Sequence, residues 1–373
     1  MANADKVFNV GIVGYGLSAK VFHIPFIALT KNLKLHTIVQ RHPTDASSAP
    51  RDHPDVKHRA ALEPMLADPE VDLVVLCVPP NTHFDFTRKA LEAGKHVLVE
   101  KPFVPTAAEA EELGRLAARR NRLVCVYQNR RWDADFLTVQ KLLREGALGR
   151  VYEFETHFDR YRADKPTTWK GTLGMDQANS ALYDLGSHLL DQVYTLFGLP
   201  SAVSAHFADQ REGRLVRGSG PADDEPDSFN AVLSYEARGL LAHVRVGVMS
   251  VEKRQPRFWV RGTKGTYRKA GLDPQEDQLR RGMALPDPAF GKEDAAWDGT
   301  LCALQADGSV REEPCPNAEP LQTYVRFYEL LGEALASGDE EKIPVRVSQA
   351  ADVLRIIEAV RKAAGEGTVV RLS

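Results

Sequence analysis

At 373 residues the chain is too long for one ordinary core and fits two domains of roughly 130 to 240 residues. Its 43% apolar and 27% charged residues exclude extensive disorder, and a net charge of −3 excludes bulk attraction to nucleic acid or anionic membrane. No apolar run reaches the ~18 residues a membrane span needs, and the N-terminus runs into a strand without the basic and apolar regions of a secretory leader.

The first third alternates strands and helices. Residues 7–13 form an apolar strand ending in glycines, followed by a helix over 18–29 with Pro25 as a kink, and a second strand over 35–39. Residues 71–78 are a continuous apolar run, the pattern of a parallel strand covered on both faces. A helix over 84–93 stopped by Gly94, a strand over 96–99, a helix capped by Thr106 and running to Arg120, and a strand over 123–126 complete the series. This alternation predicts a doubly wound α/β Rossmann domain over residues 1–128, with ligands at the carboxyl ends of its strands.

From residue 129 the pattern changes. A helix over 133–145 precedes strands over 151–158, 202–208, 229–235, 241–248 and 258–260. Strands without intervening helices predict an α+β domain over 129–373 with a large, mainly antiparallel open sheet, and with helices over 184–197, 321–336 and 348–363. Residues 211–227 and 284–295 read as exposed loops. Cys77, Cys125, Cys302 and Cys315 lie far apart and read as reduced thiols of a cytoplasmic protein, without a disulfide frame or metal site.

Gly11-Ile12-Val13-Gly14-Tyr15-Gly16-Leu17-Ser18-Ala19 follows the first strand and opens the first helix. Gly14 and Gly16 let the backbone turn and approach a pyrophosphate, whose charge the helix N-terminus stabilises, and Ala19 takes the third glycine position. NAD sites carry an acid about 20 residues on, at the end of the second strand. Here Gln40-Arg41-His42-Pro43-Thr44 stands instead, so Arg41 is placed to pair with a 2′-phosphate, which points to NADP, with NAD as the alternative. The competing reading of Arg41 is a solvated side chain on a surface turn. Pro79-Pro80-Asn81-Thr82-His83 turns at the next strand end, where Asn81 suits ribose or amide groups, Thr82 suits a helix cap and His83 suits either a helix start or a cofactor contact. The cofactor set is therefore Gly14, Tyr15, Gly16, Leu17, Ser18, Arg41, Pro79, Asn81, His83, Glu100, Lys101 and Gln128.

Lys101 closes the apolar strand in Val97-Leu98-Val99-Glu100-Lys101-Pro102, and Asp184 and His188 stand four apart on one helix face, with Asp191 nearly a turn further. Oxidising an alcohol removes a hydroxyl proton as hydride leaves carbon. A group titrating near neutrality suits that task, so His188 is the candidate acid/base, Lys101 the ligand of the substrate oxygen and Asp184 a carboxylate that orients the histidine or binds a second hydroxyl. An Asp–x₃–His pair alone is more often a helix-surface pair, and without a matched histidine cluster no metal is expected.

The GIVGYG loop, the PPNTH turn, EKP and DLGSH followed by Asp191, in this order, resemble the Gfo/Idh/MocA family of NAD(P)-dependent oxidoreductases over nearly the whole chain. The stretches Tyr127–Asp133, His157–Arg162, Tyr183–Gly186 and Gly271–Glu276 resemble its NADP-dependent scyllo-inositol dehydrogenase branch. The resemblance implies catalysis by Lys101, Asp184 and His188, and homodimers or homotetramers built on the open sheet. Relatives commonly carry consecutive glycines shortly before the DLG segment, where this chain has Gln177-Ala178-Asn179-Ser180-Ala181. A polyol or sugar needs several donors and an apolar wall, for which Arg131, Trp132, Tyr161, Trp169 and Asn179 are the substrate candidates, with Asp159 and Arg162 beside them. Trp132 also suits a core position, and Arg131 a local ion pair with Asp133 or Asp135. Two further readings stay open: a non-catalytic dinucleotide-binding regulator, and a ketone reductase of secondary metabolism.

Overall fold

The computed structural model describes residues 6–218 and 225–372, and the chain folds into two compact units. The first comprises Met1–Asn129, Gln275–Phe290 and Thr323–Ala351, and the second Arg130–Pro274, Gly291–Gln322 and Asp352–Ser373. The first crossing falls within a residue of the expected boundary, but two later segments return to the first unit. A cut drawn along the sequence follows changes of strand pattern and is blind to helices that rejoin an earlier core.

In the first unit β1 (Phe8–Val13), β2 (Leu33–Val39), β3 (Lys57–Arg59), β4 (Leu73–Leu76), β5 (His96–Glu100) and β6 (Val124–Tyr127) form a six-stranded parallel sheet in the order β3-β2-β1-β4-β5-β6. The reversal of direction at β1 and β4 is the switch point at which such sheets bind ligands. Every residue of β4 is buried, as its uninterrupted apolar run requires. Thr106 and Glu109 form a reciprocal capping box at the start of the helix Ala107–Arg120, and Asn121, in the left-handed conformation, ends it. Thr82 caps nothing; its hydroxyl donates to the Pro79 carbonyl at 2.7 Å. Ahead of Pro25 the first helix does not break but widens into a π-helical turn over Ala19–His23, continued by the α-helix Ile24–Leu29. Proline lacks the N–H an α-turn needs at that point, and the wider turn accommodates the loss.

The second unit holds a ten-stranded sheet built from β7 (Val151–Asp159), β8 (Ala202–Asp209), β9 (Arg214–Val216), β10 (Ser228–Tyr235), β11 (Leu240–Gly247), β12 (Pro256–Gly262), β13 (Gly265–Ala270), β14 (Gly299–Leu304), β15 (Val310–Cys315) and β16 (Val370–Arg371). Its order is β15-β14-β13-β12-β7-β11-β10-β8-β16, with β9 on β8, and among the described residues β7 and β11 are its one parallel pair. The loop expected over 211–227 contains β9, and residues 219–224 of it lie outside the described residues. Along β11 and β12 buried Ala242, Val244, Phe258 and Val260 alternate with exposed Leu241, Arg245 and Trp259, so helices cover one face only. The helix Ser187–Phe197 packs on that covered face against β7 and β11, with Phe197 edge-on to Phe154 at 5.4 Å. No helix among the described residues is long and apolar enough to cross a membrane.

Candidate active site

The glycine loop leaves β1 with the Gly14 N–H donating to the Val39 carbonyl at 2.9 Å. Gly14 has φ +94°, and a Cβ there meets the Cys77 carbonyl oxygen at 2.3 Å, so only glycine lets the loop cross the end of β4. Gly16 is the opposite case, because its Cβ direction opens onto space with nothing within 4 Å. A dinucleotide pyrophosphate needs such a bare backbone approach beside a helix start, and Ala19 is fully buried where the fingerprint wants a small residue. The cofactor therefore fits this loop, and the Gln128 Oε1, buried without a hydrogen-bond partner among the described residues, offers it a further acceptor. Leu17 stands half exposed beside the loop. Tyr15 does not belong to the contact set through its side chain. That ring is buried against Ile38 and Ala49, and its hydroxyl donates to Asp52 at 3.0 Å.

At the end of β2 the Gln40 side chain closes the following loop, donating to the Ser47 carbonyl at 2.8 Å and accepting from the Ala49 N–H at 2.7 Å. Arg41 projects from this loop, exposed and without an ion-pair partner among the described residues. Asp52, an acid the sequence reading did not weigh, is tied to Arg51, Tyr15 and Lys20; the Arg51 guanidinium, then the Tyr15 hydroxyl, hold its carboxyl below the usual range.

The Lys101 turn is held from within the first unit. The Lys101 N–H donates to Glu100 Oε2 at 3.2 Å, while Glu100 Oε1 accepts from the Ser18 hydroxyl and from His23 Nε2 at 3.0 Å. Glu100 and Ser18, both expected to contact the cofactor, thus bond each other through their side chains. Burial alone raises the Glu100 carboxyl, but His23, Ser18 and the Lys101 ammonium bring it below its ordinary value. His83 is corrected too: it is 1% exposed, with Nδ1 at 2.8 and 3.1 Å from the Pro102 and Phe103 carbonyls and Nε2 at 2.9 Å from that of Val78. It fastens the lysine turn to the end of β4 and has no surface left for a cofactor. Pro79 is half-buried and Asn81 exposed at the same strand ends.

In the second unit Asp184 lies within a π-helical turn, Leu182–Gly186, that leads into the helix Ser187–Phe197, where a single α-helix was expected. Both carboxylate oxygens of Asp184 accept from the Lys170 ammonium, at 3.0 and 2.9 Å. His188 follows in the first turn of the helix, 6% exposed. Asp191 is not part of a reactive face: it is buried in a bidentate pair with Arg131, at 2.8 and 2.7 Å. Arg131 is accordingly an anchor of this helix, paired with a carboxylate 60 residues away. One turn on, Gln192 donates to the Arg130 carbonyl at 2.7 Å and accepts from fully buried Arg257 at 2.8 Å, whose Nε bonds Asp135 at 2.9 Å.

Of the remaining substrate candidates, Trp132 is 8% exposed and belongs to the core, whereas Tyr161 and Trp169 are exposed at 58% and 38%. Asn179 is buried, with its amide donating to the Lys170 and Leu173 carbonyls at 2.9 and 2.6 Å. Both amide hydrogens are spent on pinning the turn that carries Lys170, so Asn179 acts through that turn. Its neighbours Ala178 and Ser180 take φ of +58° and +93°, the region that favours glycine. Lys170, which pairs with Asp184, and Gln192, which ties the His188 helix to Arg130 and Arg257, are residues that sequence reasoning missed. The first stands in an exposed run without periodicity, but Gln192, four residues after His188, could have been found by helical spacing. A group able to hold a metal, His36, Asp68 and Glu70, lies far along the chain from these residues, and the Lys57 ammonium already sits 3.2 and 2.5 Å from its two carboxylates.

Residues 8–128 match the oxidoreductase family with an NAD-binding Rossmann fold, and residues 136–268 match the Gfo/Idh/MocA C-terminal domain. An uncharacterized oxidoreductase of Schizosaccharomyces pombe is 40% identical over 98% of this chain and 99% of its own length. The scyllo-inositol 2-dehydrogenase (NADP(+)) IolW of Bacillus subtilis is 34% identical over 98% of this chain and 96% of its own. Among solved structures, an oxidoreductase from Bacillus cereus superimposes with a TM-score of 0.84 at 29% identity, covering 98% and 99% of the two chains. With a glycine loop shaped for a nicotinamide dinucleotide and a lysine turn at the adjoining strand end, the chain belongs to the Gfo/Idh/MocA family of oxidoreductases and is a dehydrogenase acting on CH–OH groups.

Proposed function

We propose that this chain is an NADP-dependent dehydrogenase or reductase interconverting a secondary alcohol and a ketone on a cyclic polyol or sugar, as scyllo-inositol 2-dehydrogenase does by its name. The observation that carries the reading is the Lys101 turn, whose backbone is held by Glu100 on one side and whose following carbonyls are held by His83 on the other. Such double fixing of a lysine at a strand end suits a cation that must meet one substrate oxygen. Arg41, exposed and unpaired where NAD sites carry an acid, supports NADP.

The nicotinamide, when bound, supplies the hydride donor or acceptor. Lys101 donates a hydrogen bond to the substrate oxygen and stabilises its developing charge. In the oxidising direction His188 takes the hydroxyl proton as the C–O bond gains double-bond character, and it returns that proton on reduction. Asp184, paired with Lys170, orients the substrate or the histidine. The chain assembles into dimers or tetramers through the uncovered sheet face bearing Leu241 and Trp259, and works in the cytoplasm, in keeping with cysteines that form no disulfide.

The test follows nicotinamide absorbance with NADP and NADPH against a panel of inositols, sugars and their ketones. Wild type turns over at least one of them, and Lys101→Ala abolishes turnover while NADP binding stays largely intact. Turnover that survives in Lys101→Ala refutes the mechanism, and tight cofactor binding without turnover in either direction identifies a regulator.

A further inference from the structure

His23 is a fully buried histidine to which the reaction above gives no role. Its Nδ1 lies 2.5 Å from the Tyr328 hydroxyl oxygen, and its Nε2 lies 3.0 Å from Glu100 Oε1. The Tyr328 hydroxyl also lies 3.4 Å from the Phe22 carbonyl, which can only accept; a hydroxyl that donates there accepts from Nδ1. Glu100, ionised, can only accept, so Nε2 must donate as well. In that arrangement both ring nitrogens carry hydrogen, and the imidazolium and the Glu100 carboxylate neutralise each other inside the unit. The ring packs on Tyr127 with centroids 4.5 Å apart, and Cys77 is its other titratable neighbour. Burial pushes the His23 pKa down, but Cys77 and Glu100 outweigh it and bring it to about 10. The π-helical turn over Ala19–His23 ends on this residue, a local widening that often marks a functional position.

We propose that His23 is a positioning residue for Lys101: it orients the one carboxylate, Glu100, that receives both the Ser18 hydroxyl of the glycine-loop helix and the Lys101 amide. The helix behind the glycine loop and the lysine turn are thereby set as one piece, and the placement of the lysine depends on a ring two residues inside the chain's first helix from Pro25. This role rests on the reading of Lys101 as the ligand of the substrate oxygen.

The experiment compares the full-length wild type, His23→Leu and His23→Gln, whose amide can still donate to Glu100. Kinetics, cofactor affinity by fluorescence, and the resonances of the Lys101 amide and the His23 ring nitrogens are measured on each. The expected result is a kcat lower by about 100-fold in His23→Leu, with NADP affinity changed less than about threefold, and recovery of at least about tenfold in His23→Gln. The Lys101 amide resonance moves in the leucine variant and returns in the glutamine variant, and the wild-type ring shows two protonated nitrogens between about pH 6 and 8. A neutral ring, an unmoved Lys101 amide, or a kcat in His23→Leu within about threefold of wild type overturns the proposal. If wild type turns over no polyol or sugar, the functional reading falls, and the two resonances still decide the role of His23. Should the leucine variant not fold, Ser18→Ala, which removes one donor from the same carboxylate, gives the Lys101 amide readout in its place.

Discussion

Asp191→Asn should destabilise the second unit by about 3–5 kcal/mol, the cost of leaving a buried charge without its partner. The estimate follows from the geometry. Arg131 and Asp191 meet through two hydrogen bonds of 2.8 and 2.7 Å, with side chains only 8% and 2% exposed, so water can replace neither partner. Asparagine keeps one acceptor, loses the charge, and turns an N–H₂ group toward the guanidinium. For a unit of this size the loss corresponds to a fall in Tm on the order of 10 °C. The double variant Arg131→Met with Asp191→Leu removes both charges and should recover most of the loss, because paired removal leaves nothing uncompensated. Urea and thermal unfolding followed by circular dichroism compare wild type, Asp191→Asn and the double variant. A single variant costing less than about 1 kcal/mol, or a double variant no more stable than Asp191→Asn, refutes the account of Arg131 as the anchor of the His188 helix.

Arg41→Ala should raise the KM for NADP about 10- to 30-fold and leave that for NAD unchanged, the lower end for a charge-assisted bond because the side chain is exposed; an unaltered NADP affinity rules out the phosphate role. The pair Ala178→Gly and Ser180→Gly relieves side chains held at φ +58° and +93°, and should stabilise by about 0.5–1 kcal/mol after the entropy of glycine is counted. A melting temperature lowered by both changes contradicts that reading. His96 accepts the Leu123 N–H on Nδ1 at 3.0 Å, and burial first, then Arg122 and Lys6, push its pKa to about 4 from 6.5. The folded state therefore binds this proton less readily than the unfolded chain, so stability is undiminished above pH 6.5 and lost as pH falls toward 4, by about 2 kcal/mol at pH 5. His96→Gln should flatten the decline of Tm between pH 7 and 5, and a profile parallel to wild type would count against it.

The parts of the fold that local chemistry dictates were legible. Four buried residues in a row at β4, a Thr106–Glu109 capping box and the glycines at 14 and 16 each carry their structural meaning within a short window. What escaped depends on partners far along the chain. His23 sits in Val21-Phe22-His23-Ile24-Pro25, where a lone polar residue in an apolar helix says nothing of Tyr328, 305 residues away. Arg131 invited pairing with nearby acids, and only the helix packing reveals Asp191. The outermost strand β15 was missed because an edge strand needs no apolar alternation, and three of the six residues of Val310–Cys315 are charged. Of the proposed site, Lys101 lies at the end of β5, and Asp184 and His188 lie at the start of the helix Ser187–Phe197, the elements their sequence patterns indicate. Glu100, His83, Asn179 and Arg131, read from the sequence as ligand contacts, are found holding neighbouring turns and helices.

The chain's return to its first unit has a consequence for modularity. Phe26 stacks on Tyr328 with ring centroids 5.5 Å apart, and Tyr127 meets Phe327 edge-on at 4.9 Å, so the helix Tyr324–Ser337 completes the aromatic interior behind the glycine loop. A fragment ending at residue 129 lacks this wall and exposes those rings, along with His23. The nucleotide half is therefore not a transplantable cassette. Recombination with a relative must exchange the late helix together with the early strands, which ties the inheritance of cofactor preference to residues some 200 positions downstream of the last strand that displays it.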